Sequence, residues 1–205
     1  MKKYFLIAPV LLITLIFIVF YIGRNVEIAR SIDKLTDIKQ LSYELELIML
    51  KRTILLANID EIQNYDAILN SNKDFQSRFT YYSQAIHKIK DKKLIRLLQN
   101  IEKKNANVTL LYENLKTDIT LVNDSIEQRK KSIENIRKEI QRNDITSALD
   151  TVVLYTLREL NKLHKEIDFI IQMLFVSAIL LLVFGFTVYI KEIIVSLEAQ
   201  KLKNE

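Results

Sequence analysis

The residues able to do chemistry are few in this sequence and lie apart. Its two histidines, His87 and His164, each precede a lysine, and there is no cysteine. Metal ions in proteins are usually held by closely spaced His and Cys ligands, so no metal site is expected. Two glycines are too few for a phosphate-cradling loop, and the adjacent carboxylates Asp60 and Glu61 do not share a helical face. We therefore expect no cofactor, no metal and no enzyme active site.

Polar residues at positions that a heptad pattern reserves for apolar side chains are the stronger candidates for binding. Asn105 and Arg129 occupy such positions in the pattern that runs from Leu94. A buried polar side chain lowers stability unless it is paired. We expect Asn105 to fix helix register and Arg129 to extend along its stem to solvent, with ligand contact as the alternative. Tyrosines are expected as core aromatics with solvated hydroxyls, and the basic patch as a solvated helix end: Tyr65, Tyr82, Tyr112, Tyr155; Lys88, Lys90, Lys92, Lys93, Arg96.

Two uncharged apolar runs bracket the segment that carries these residues. They cover residues 4–23 and 169–190. A helix rises about 1.5 Å per residue, so each run spans the roughly 30 Å hydrocarbon core of a bilayer. The first run could be a cleaved signal peptide, because Lys2 and Lys3 precede it. Its apolar core is longer than the roughly 7 to 15 residues of a signal peptide, however, and no A-x-A-like site follows. We therefore expect two transmembrane helices.

Basic residues beside the two runs indicate the orientation. Lys2 and Lys3 precede the first run, and Lys191, Lys201 and Lys203 follow the second. Because lysine is enriched on the cytoplasmic side, residues 1–3 and 191–205 are expected in the cytoplasm of a bacterium and residues 24–168 outside its cytoplasmic (inner) membrane. The short tail can begin a signalling helix but cannot form a catalytic domain. The chain is thus expected either to be a receptor fragment or to signal through a separate partner.

The composition predicts helices. There are 2 Gly and 1 Pro, and the proline lies inside the first apolar run. A β-sandwich needs many turn residues, so the chain is expected to be all-α. The formal net charge of +5 does not indicate a nucleic-acid-binding surface on a chain of this topology. Apolar residues at helical spacing predict that the first membrane helix continues through 24–62, with an apolar face that includes Ile38, Leu45, Ile48 and Leu55. Residues 63–74 favour a turn, with Ser71 or Asn72 capping the next helix.

Apolar residues then recur by threes and fours from Phe75 to Ile89, and the pattern resumes after the basic patch, from Leu94 to Ile140. Taken alone, the pattern predicts a long coiled-coil helix. A chain that leaves and re-enters the membrane needs ascending and descending helices of similar length, so we expect a reversal inside 117–124, with Asp124 and Glu127 as a capping box. Residues 75–119 are then one helix, and the last helix begins near Asn143 and runs into the second membrane run. The expected fold is all-α, with two transmembrane helices flanking an extracytoplasmic antiparallel four-helix bundle.

Three stretches resemble a known sensor family: KRTILLANIDEIQNYDAIL, EKKNANVTLLYENLK and SALDTVVLYTLREL. Over residues 50–160 they look like the double all-helical ligand-binding (DAHL) domain of bacterial sensor kinases. The chain departs from that pattern in the wide spacing of its first motif and in having no room for a second module, so a chemoreceptor-type four-helix-bundle sensor is the second candidate. The resemblance implies ligand contacts at Arg52, Asn64, Tyr65, Asp66, Asn105, Asn114 and Tyr155.

The expected function is therefore the input portion of a transmembrane receptor of the histidine kinase, cyclase or chemoreceptor type. A small-molecule or protein ligand would bind outside the cytoplasm, and a helix displacement would reach a cytoplasmic output in cis or in trans. A homodimer is expected from the behaviour of such sensors. The alternative is a membrane-anchored helical scaffold without a ligand.

Overall fold

The described residues of the chain form five α-helices in the computed structural model. The model describes the backbone of residues 7–58, 65–120 and 126–204, and the side chains of residues 12–58, 66–117 and 127–200. The helices are α1 (Ile7–Ala57), α2 (Tyr65–Ile89), α3 (Lys92–Thr120), α4 (Ile126–Asn143) and α5 (Ile145–Asn204). No strand occurs in these ranges. The predicted all-α class is confirmed.

Contacts divide the chain into two compact units. Unit 1 comprises residues 1–30 and 162–205, and unit 2 comprises residues 31–161. The helix predicted to continue from the first apolar run does so without a break as far as Ala57. The remainder of that prediction, up to residue 62, falls mostly outside the described residues.

Unit 1 has an apolar surface. Phe20, Leu180 and Leu182 are 66%, 63% and 74% exposed, and only 6% of the most apolar window of either helix is buried. A core helix of a water-soluble protein would be mostly covered, and exposing so much apolar area to water costs about 25 cal/mol per Å². By length and composition, α1 and α5 are therefore able to cross a membrane.

An ion pair joins α1 and α5 within unit 1. Arg24 Nη2 lies 2.8 Å from Glu166 Oε1, and Arg24 Nε donates to the same oxygen at 2.9 Å. Ile28 and Ile170 are both buried. The hydrogen bond from Arg24 to Glu166 and the charge of that carboxylate raise the pKa of the guanidinium. Because both side chains are well exposed to solvent, we ascribe little stability to the pair.

In unit 2, α2 and α3 are separate helices that meet at Lys90 and Asp91. The prediction of one helix over 75–119 is therefore wrong. Lys90 has a φ of 60°, a left-handed conformation that ends α2. Asp91 Oδ1 accepts hydrogen bonds from the backbone N–H groups of Lys93, at 2.7 Å, and Leu94, at 3.0 Å, and so caps α3. Local capping thus interrupts an apolar pattern that alone favours continuity.

The start of α2 also differs from the prediction. Residues 65–74 are helical, whereas the sequence favoured a turn over 63–74, of which residues 63 and 64 lie outside the described part. Ser71 and Asn72 are buried inside α2 instead of capping its start. Ser71 Oγ donates to the carbonyl oxygen of Ile68 at 2.7 Å, so the helix itself satisfies this hydroxyl.

The predicted reversal between α3 and α4 agrees with the helix ends at Thr120 and Ile126, while residues 121–125, including the proposed cap Asp124, lie outside the described residues. Asn107 Nδ2 donates to Glu139 Oε1 at 3.2 Å, and Lys104 Nζ donates to the Asp144 carbonyl at 3.1 Å. These contacts show that α4 runs antiparallel to α3.

The last helix begins at Ile145, as predicted, with Asp144 Oδ1 accepting from the backbone N–H of Ser147 at 3.1 Å. Asp144 has a φ of 40°, yet the chain does not reverse there. Lys104 on α3 contacts the Asp144 carbonyl just before α5, and Tyr155 farther along α5 hydrogen bonds to Asp91 just before α3, so α5 lies antiparallel to α3, as α4 does. The α4 and α5 helices follow one another along α3, and the reversal that the sequence did not reveal is at Lys90 and Asp91.

The buried face of α1 differs in phase from the predicted one. Ile38 and Leu45 are buried as expected, but the face then continues through Met49, Arg52 and Leu56. The predicted positions Ile48 and Leu55 are only partly buried. An arginine therefore lies on the apolar face of this helix.

Candidate functional site

The arginine on the buried face of α1 is the centre of the candidate site in unit 2. Arg52 is 0% exposed. Its Cζ atom lies 4.7 Å from the ring centroid of Phe75 on α2 and 4.8 Å from that of Tyr112 on α3. Arg52 Nε donates to Tyr112 Oη at 3.4 Å, and Nη1 lies 3.4 Å from Met49 Sδ. One guanidinium thus joins three helices.

This guanidinium has no acidic partner among the residues whose side chains are described. No Asp or Glu oxygen there lies within 4.0 Å of it, and Nη2 is buried without a hydrogen-bond acceptor in the same part of the chain. A guanidinium keeps its charge in proteins, and aromatic faces stabilise it by about 2 kcal/mol when it is desolvated. The rings compensate part of the desolvation of Arg52.

Contacts between neighbouring helices set the level at which these rings meet Arg52. Ser42 Oγ donates to Tyr82 Oη at 3.3 Å, and Arg78 pairs with Glu44 at 3.4 Å, so α1 and α2 are antiparallel. Gln76 Nε2 donates to Thr109 Oγ1 at 2.8 Å between α2 and α3. Phe75 is adjacent to Gln76, and Tyr112 follows Thr109 by about one helical turn, which places both rings at the level of Arg52.

Two buried amides lie on the same helices as the rings. Asn72 is one turn before Phe75 on α2, and Asn105 is two turns before Tyr112 on α3. Their exposed fractions are 7% and 5%, and the Oδ1 atom of each is buried without a hydrogen-bond donor among the described residues. Asn105 was predicted to be a buried heptad residue, and its burial is confirmed. Such groups lower stability when unpaired, which marks this core as unusually polar.

Tyr155 belongs to a different cluster, at the hairpin between α2 and α3. Its hydroxyl donates to Asp91 Oδ2 at 2.8 Å, and Lys93 Nζ lies 4.7 Å from the centroid of its ring. Burial, then the hydrogen bond to Asp91 and the charge of Asp91, raise the pKa of Tyr155. Burial alone would raise the pKa of Asp91, but hydrogen bonds from Leu94, Tyr155 and Lys93 lower it overall. This cluster holds α5 on the start of α3.

A carboxyl pair forms a third polar cluster in unit 2. Burial, followed by the charge and hydrogen bond of Asp150, raises the pKa of Glu46. Because the folded state holds the proton of Glu46 more tightly, this contact between α1 and α5 is sensitive to pH. Burial raises the pKa of nearby Tyr82, opposed by its hydrogen bond with Ser42.

The structure does not bring together all the residues that the resemblance to the sensor family singled out. Asn64 and the side chain of Tyr65 lie outside the described part of the chain. Asp66 and Asn114 are exposed, and Tyr155 belongs to the hairpin cluster. Arg52 and Asn105 are buried. The residues that contact Arg52 were absent from the predicted set: Met49, Phe75 and Tyr112.

The basic patch is exposed at the hairpin, as predicted for a solvated helix end. Arg129, which was expected to extend to solvent, is half-buried and its Nε atom is buried. His87 and His164 are exposed. Among the residues described, no group of three or more His, Cys, Asp or Glu side chains could hold a metal ion.

Unit 1 contains a cavity of about 490 Å³ within its apolar segments. Its lining is mainly apolar, and the hydroxyls of Ser177 and Thr187 are bonded to backbone carbonyls of their own helix. The cavity therefore presents an apolar surface. The lining residues are Thr14, Phe17, Ser177, Leu180, Leu181, Val183, Phe184 and Thr187.

Comparison with known proteins finds no match: no protein-family model, curated protein or solved structure is similar to this chain.

Proposed function

We propose that the chain is the input portion of a bacterial transmembrane receptor, in which unit 2 senses outside the cytoplasmic membrane and α5 carries the signal inward. The observation that carries this proposal is the continuity of two helices. Helix α1 runs from Ile7 to Ala57 and α5 from Ile145 to Asn204, so each includes an apolar run of membrane length and a part of the unit 2 core. A continuous helix transmits a displacement or rotation along its length, as interfaces that switch by about 1–2 Å require.

We further propose that unit 2 is an antiparallel four-helix bundle. Its first three members are α1, α2 and α3, and its fourth is α4 followed by α5. Contacts between helices that follow one another in the chain support this arrangement: Arg78 with Glu44, Gln76 with Thr109, and Asn107 with Glu139. In this arrangement α1 and α3 are diagonal, and Arg52 meets Tyr112 across the core.

The topology can be tested by labelling single cysteines in intact cells. The sequence has no cysteine, so each introduced thiol is unique. Asn114→Cys in unit 2 and Val195→Cys after the second apolar run are both at exposed positions. A membrane-impermeant maleimide should label Cys at 114 and leave Cys at 195 unlabelled until the cells are lysed. Labelling of both in intact cells, or of 195 alone, would contradict the proposed orientation.

Signalling can be tested by fusing the chain to a cytoplasmic reporter enzyme whose activity depends on helix rotation. In unit 2, the Ile32→Cys and Leu160→Cys pair should form a disulfide between α1 and α5 and fix the reporter at one activity, which a reductant then releases. The two single variants are the controls. Inserting one to four alanines after Lys191 should change reporter activity with the helical period of 3.6 residues. A flat response to both changes would contradict signal transfer.

The second candidate is a membrane-anchored helical scaffold without a ligand. It is favoured by the hairpin cluster, in which Tyr155 and Asp91 satisfy each other and leave no group for a ligand. A scaffold would show no effect of the Ile32–Leu160 disulfide on the reporter, and it would tolerate alanine at Asn64, Tyr65 and Asp66. The same fusion experiment therefore separates the two functions. The proposed receptor acts as a homodimer, which disulfide formation between copies carrying one cysteine each would reveal.

A further inference from the structure

The strongest unexplained feature of unit 2 is the charge at its centre. Arg52 is fully buried, and its guanidinium contacts the rings of Phe75 and Tyr112. Its Nε and Nη1 atoms meet Tyr112 Oη and Met49 Sδ, whereas Nη2 has no acceptor among the described residues. Replacing buried ion pairs by apolar residues is often neutral or stabilising, so stability alone does not require an arginine here. A buried guanidinium with an unused N–H donor group can bind an anion.

We propose that Arg52 binds the carboxylate of a small monoanionic ligand with an apolar body. This inference rests on the proposed receptor function and names the chemical class of its ligand. The rings of Phe75 and Tyr112 cover the guanidinium, and Nε and Nη1 face Tyr112 Oη and Met49 Sδ. The N–H groups of Nη2 remain to donate to a carboxylate oxygen.

The single buried positive charge of Arg52 favours a ligand that carries one negative charge. Arg52 is the one fully buried basic side chain among the described residues, so one negative charge neutralises the core. A phosphate dianion would leave one charge unpaired in a low-dielectric environment, which is costly. A carboxylate accepts from the planar guanidinium edge with matching geometry.

The residues around the Arg52 guanidinium are mainly apolar, which favours a ligand whose remaining atoms are apolar. Met49, Phe75 and Tyr112 contact the guanidinium, and the next buried residues on α1 and α3 are Leu56, Val108 and Leu115. An aliphatic or aromatic carboxylic acid therefore matches both the charge and the polarity of this core better than a sugar acid or an inorganic anion.

The experiment measures ligand-induced thermal stabilisation of the full chain in lipid nanodiscs, followed by circular dichroism. The probes are sodium butyrate and sodium benzoate, with sodium chloride at matched ionic strength and inorganic phosphate as comparisons. Binding to the folded state alone raises the melting temperature until the site saturates. We expect saturable stabilisation by butyrate or benzoate and not by chloride or phosphate.

Variants assign the effect to Arg52. Arg52→Met should weaken binding by roughly 10- to 150-fold, the value of a hydrogen bond to a charged group. Arg52→Lys keeps the charge but loses the planar fork, so we expect an intermediate loss. Arg158→Met is the matched control, because Arg158 is exposed in unit 2. If Arg52→Met does not fold, Arg52→Lys alone decides the assignment.

Three results would overturn the inference: no stabilisation by either carboxylate, equal stabilisation of wild type and the Arg52 variants, or stabilisation by phosphate alone. None of them bears on the reporter experiment with the Ile32–Leu160 disulfide. If that disulfide fixes the reporter while carboxylates do not bind, the receptor function stands and only the ligand class is wrong. If carboxylates bind through Arg52 but the disulfide has no effect, the transfer mechanism is wrong.

Discussion

Replacing Arg52 by methionine should leave the folded state almost as stable as the wild type, and this unusual expectation follows from the geometry. The variant loses two cation–π contacts, of about 1–2 kcal/mol each, with Phe75 and Tyr112. The contacts of 3.4 Å to Tyr112 Oη and Met49 Sδ are long and contribute little. Against these losses, the variant no longer buries an unpaired guanidinium, whose desolvation costs several kcal/mol.

The two effects nearly cancel, so the free energy of unfolding should change by less than about 2 kcal/mol in Arg52→Met. Arg52→Ala removes the side-chain stem as well and leaves a cavity, for which we expect a loss of about 2–5 kcal/mol. For a chain of this size each kcal/mol shifts the melting temperature by about 2–4 °C. Thermal unfolding in nanodiscs, without added carboxylates, should therefore rank methionine close to wild type and alanine well below both.

A loss of more than about 3 kcal/mol in Arg52→Met would refute the reasoning. Removing one partner of a buried ion pair costs about 3–5 kcal/mol, because the other charge is left unpaired. Such a loss would mean that Arg52 has an anionic partner within the folded chain. Arg158→Met, at an exposed position, should change the melting temperature little and controls for the loss of one positive charge.

Three further predictions concern the polar clusters and the apolar surface. Asp91→Ala removes the cap of α3 and the acceptor for Tyr155, so the free energy of unfolding should fall by about 1–2 kcal/mol, measured by thermal melting, with Asp91→Asn losing less. The pKa of Asp91 is lowered in the folded state, so its contribution is present above the unfolded value and is lost as the pH falls below about 4. The pKa of Glu46 is raised, so the folded state binds the proton of Glu46 more tightly than the unfolded state does. The free energy of unfolding should therefore fall as the pH rises above the ordinary value of 4.5. Glu46→Gln should flatten that part of the pH profile. Leu182→Lys places a charge on the apolar surface of α5 and should reduce membrane insertion, at a cost of about 2.5–3.5 kcal/mol, whereas Leu182→Phe should not.

The sequence predicted the all-α class and the start of α5, but not the division between α2 and α3, for a definable reason. Apolar periodicity reports which face of a helix is buried but not where the chain turns. The hairpin at Lys90 and Asp91 contains neither Gly nor Pro, and a lysine takes the left-handed position. Its signals were the step of five between Ile89 and Leu94, which breaks the spacing of threes and fours, and an aspartate two residues before a helical lysine.

The candidate site was less predictable than the fold. Arg52 was singled out by resemblance alone, because the predicted apolar face of α1 passed through Ile48 and Leu55. Shifting that face to Met49 and Leu56 places Arg52 between them at helical spacing, a pattern visible in the sequence. The rings of Phe75 and Tyr112 were not predictable, because their approach to Arg52 depends on the register between three helices.

Among the polar contacts between helices of unit 2, the contact of α1 with α3 at Arg52 is the one that a ligand at Arg52 would change. Helix α5 is held on α3 by Tyr155 with Asp91, and the Asp144 carbonyl that precedes α5 accepts from Lys104 on α3. Helix α1 meets α3 through Arg52 and Tyr112, a contact of 3.4 Å. An anion that recruits the guanidinium would weaken that contact and leave the α3–α5 contacts intact.

Spin-label distances test this asymmetry in the full chain. Leu47 on α1, Leu110 on α3 and Leu154 on α5 are all more than 60% exposed, so labels there should leave the core unchanged. We expect saturating benzoate to change the 47–110 distance by about 1–2 Å, typical of interface shifts, and to leave the 110–154 distance unchanged. Equal changes in both pairs, or a change confined to 110–154, would show that α1 is not the moving element. In Arg52→Met, neither distance should respond, because the group that recognises the carboxylate is gone.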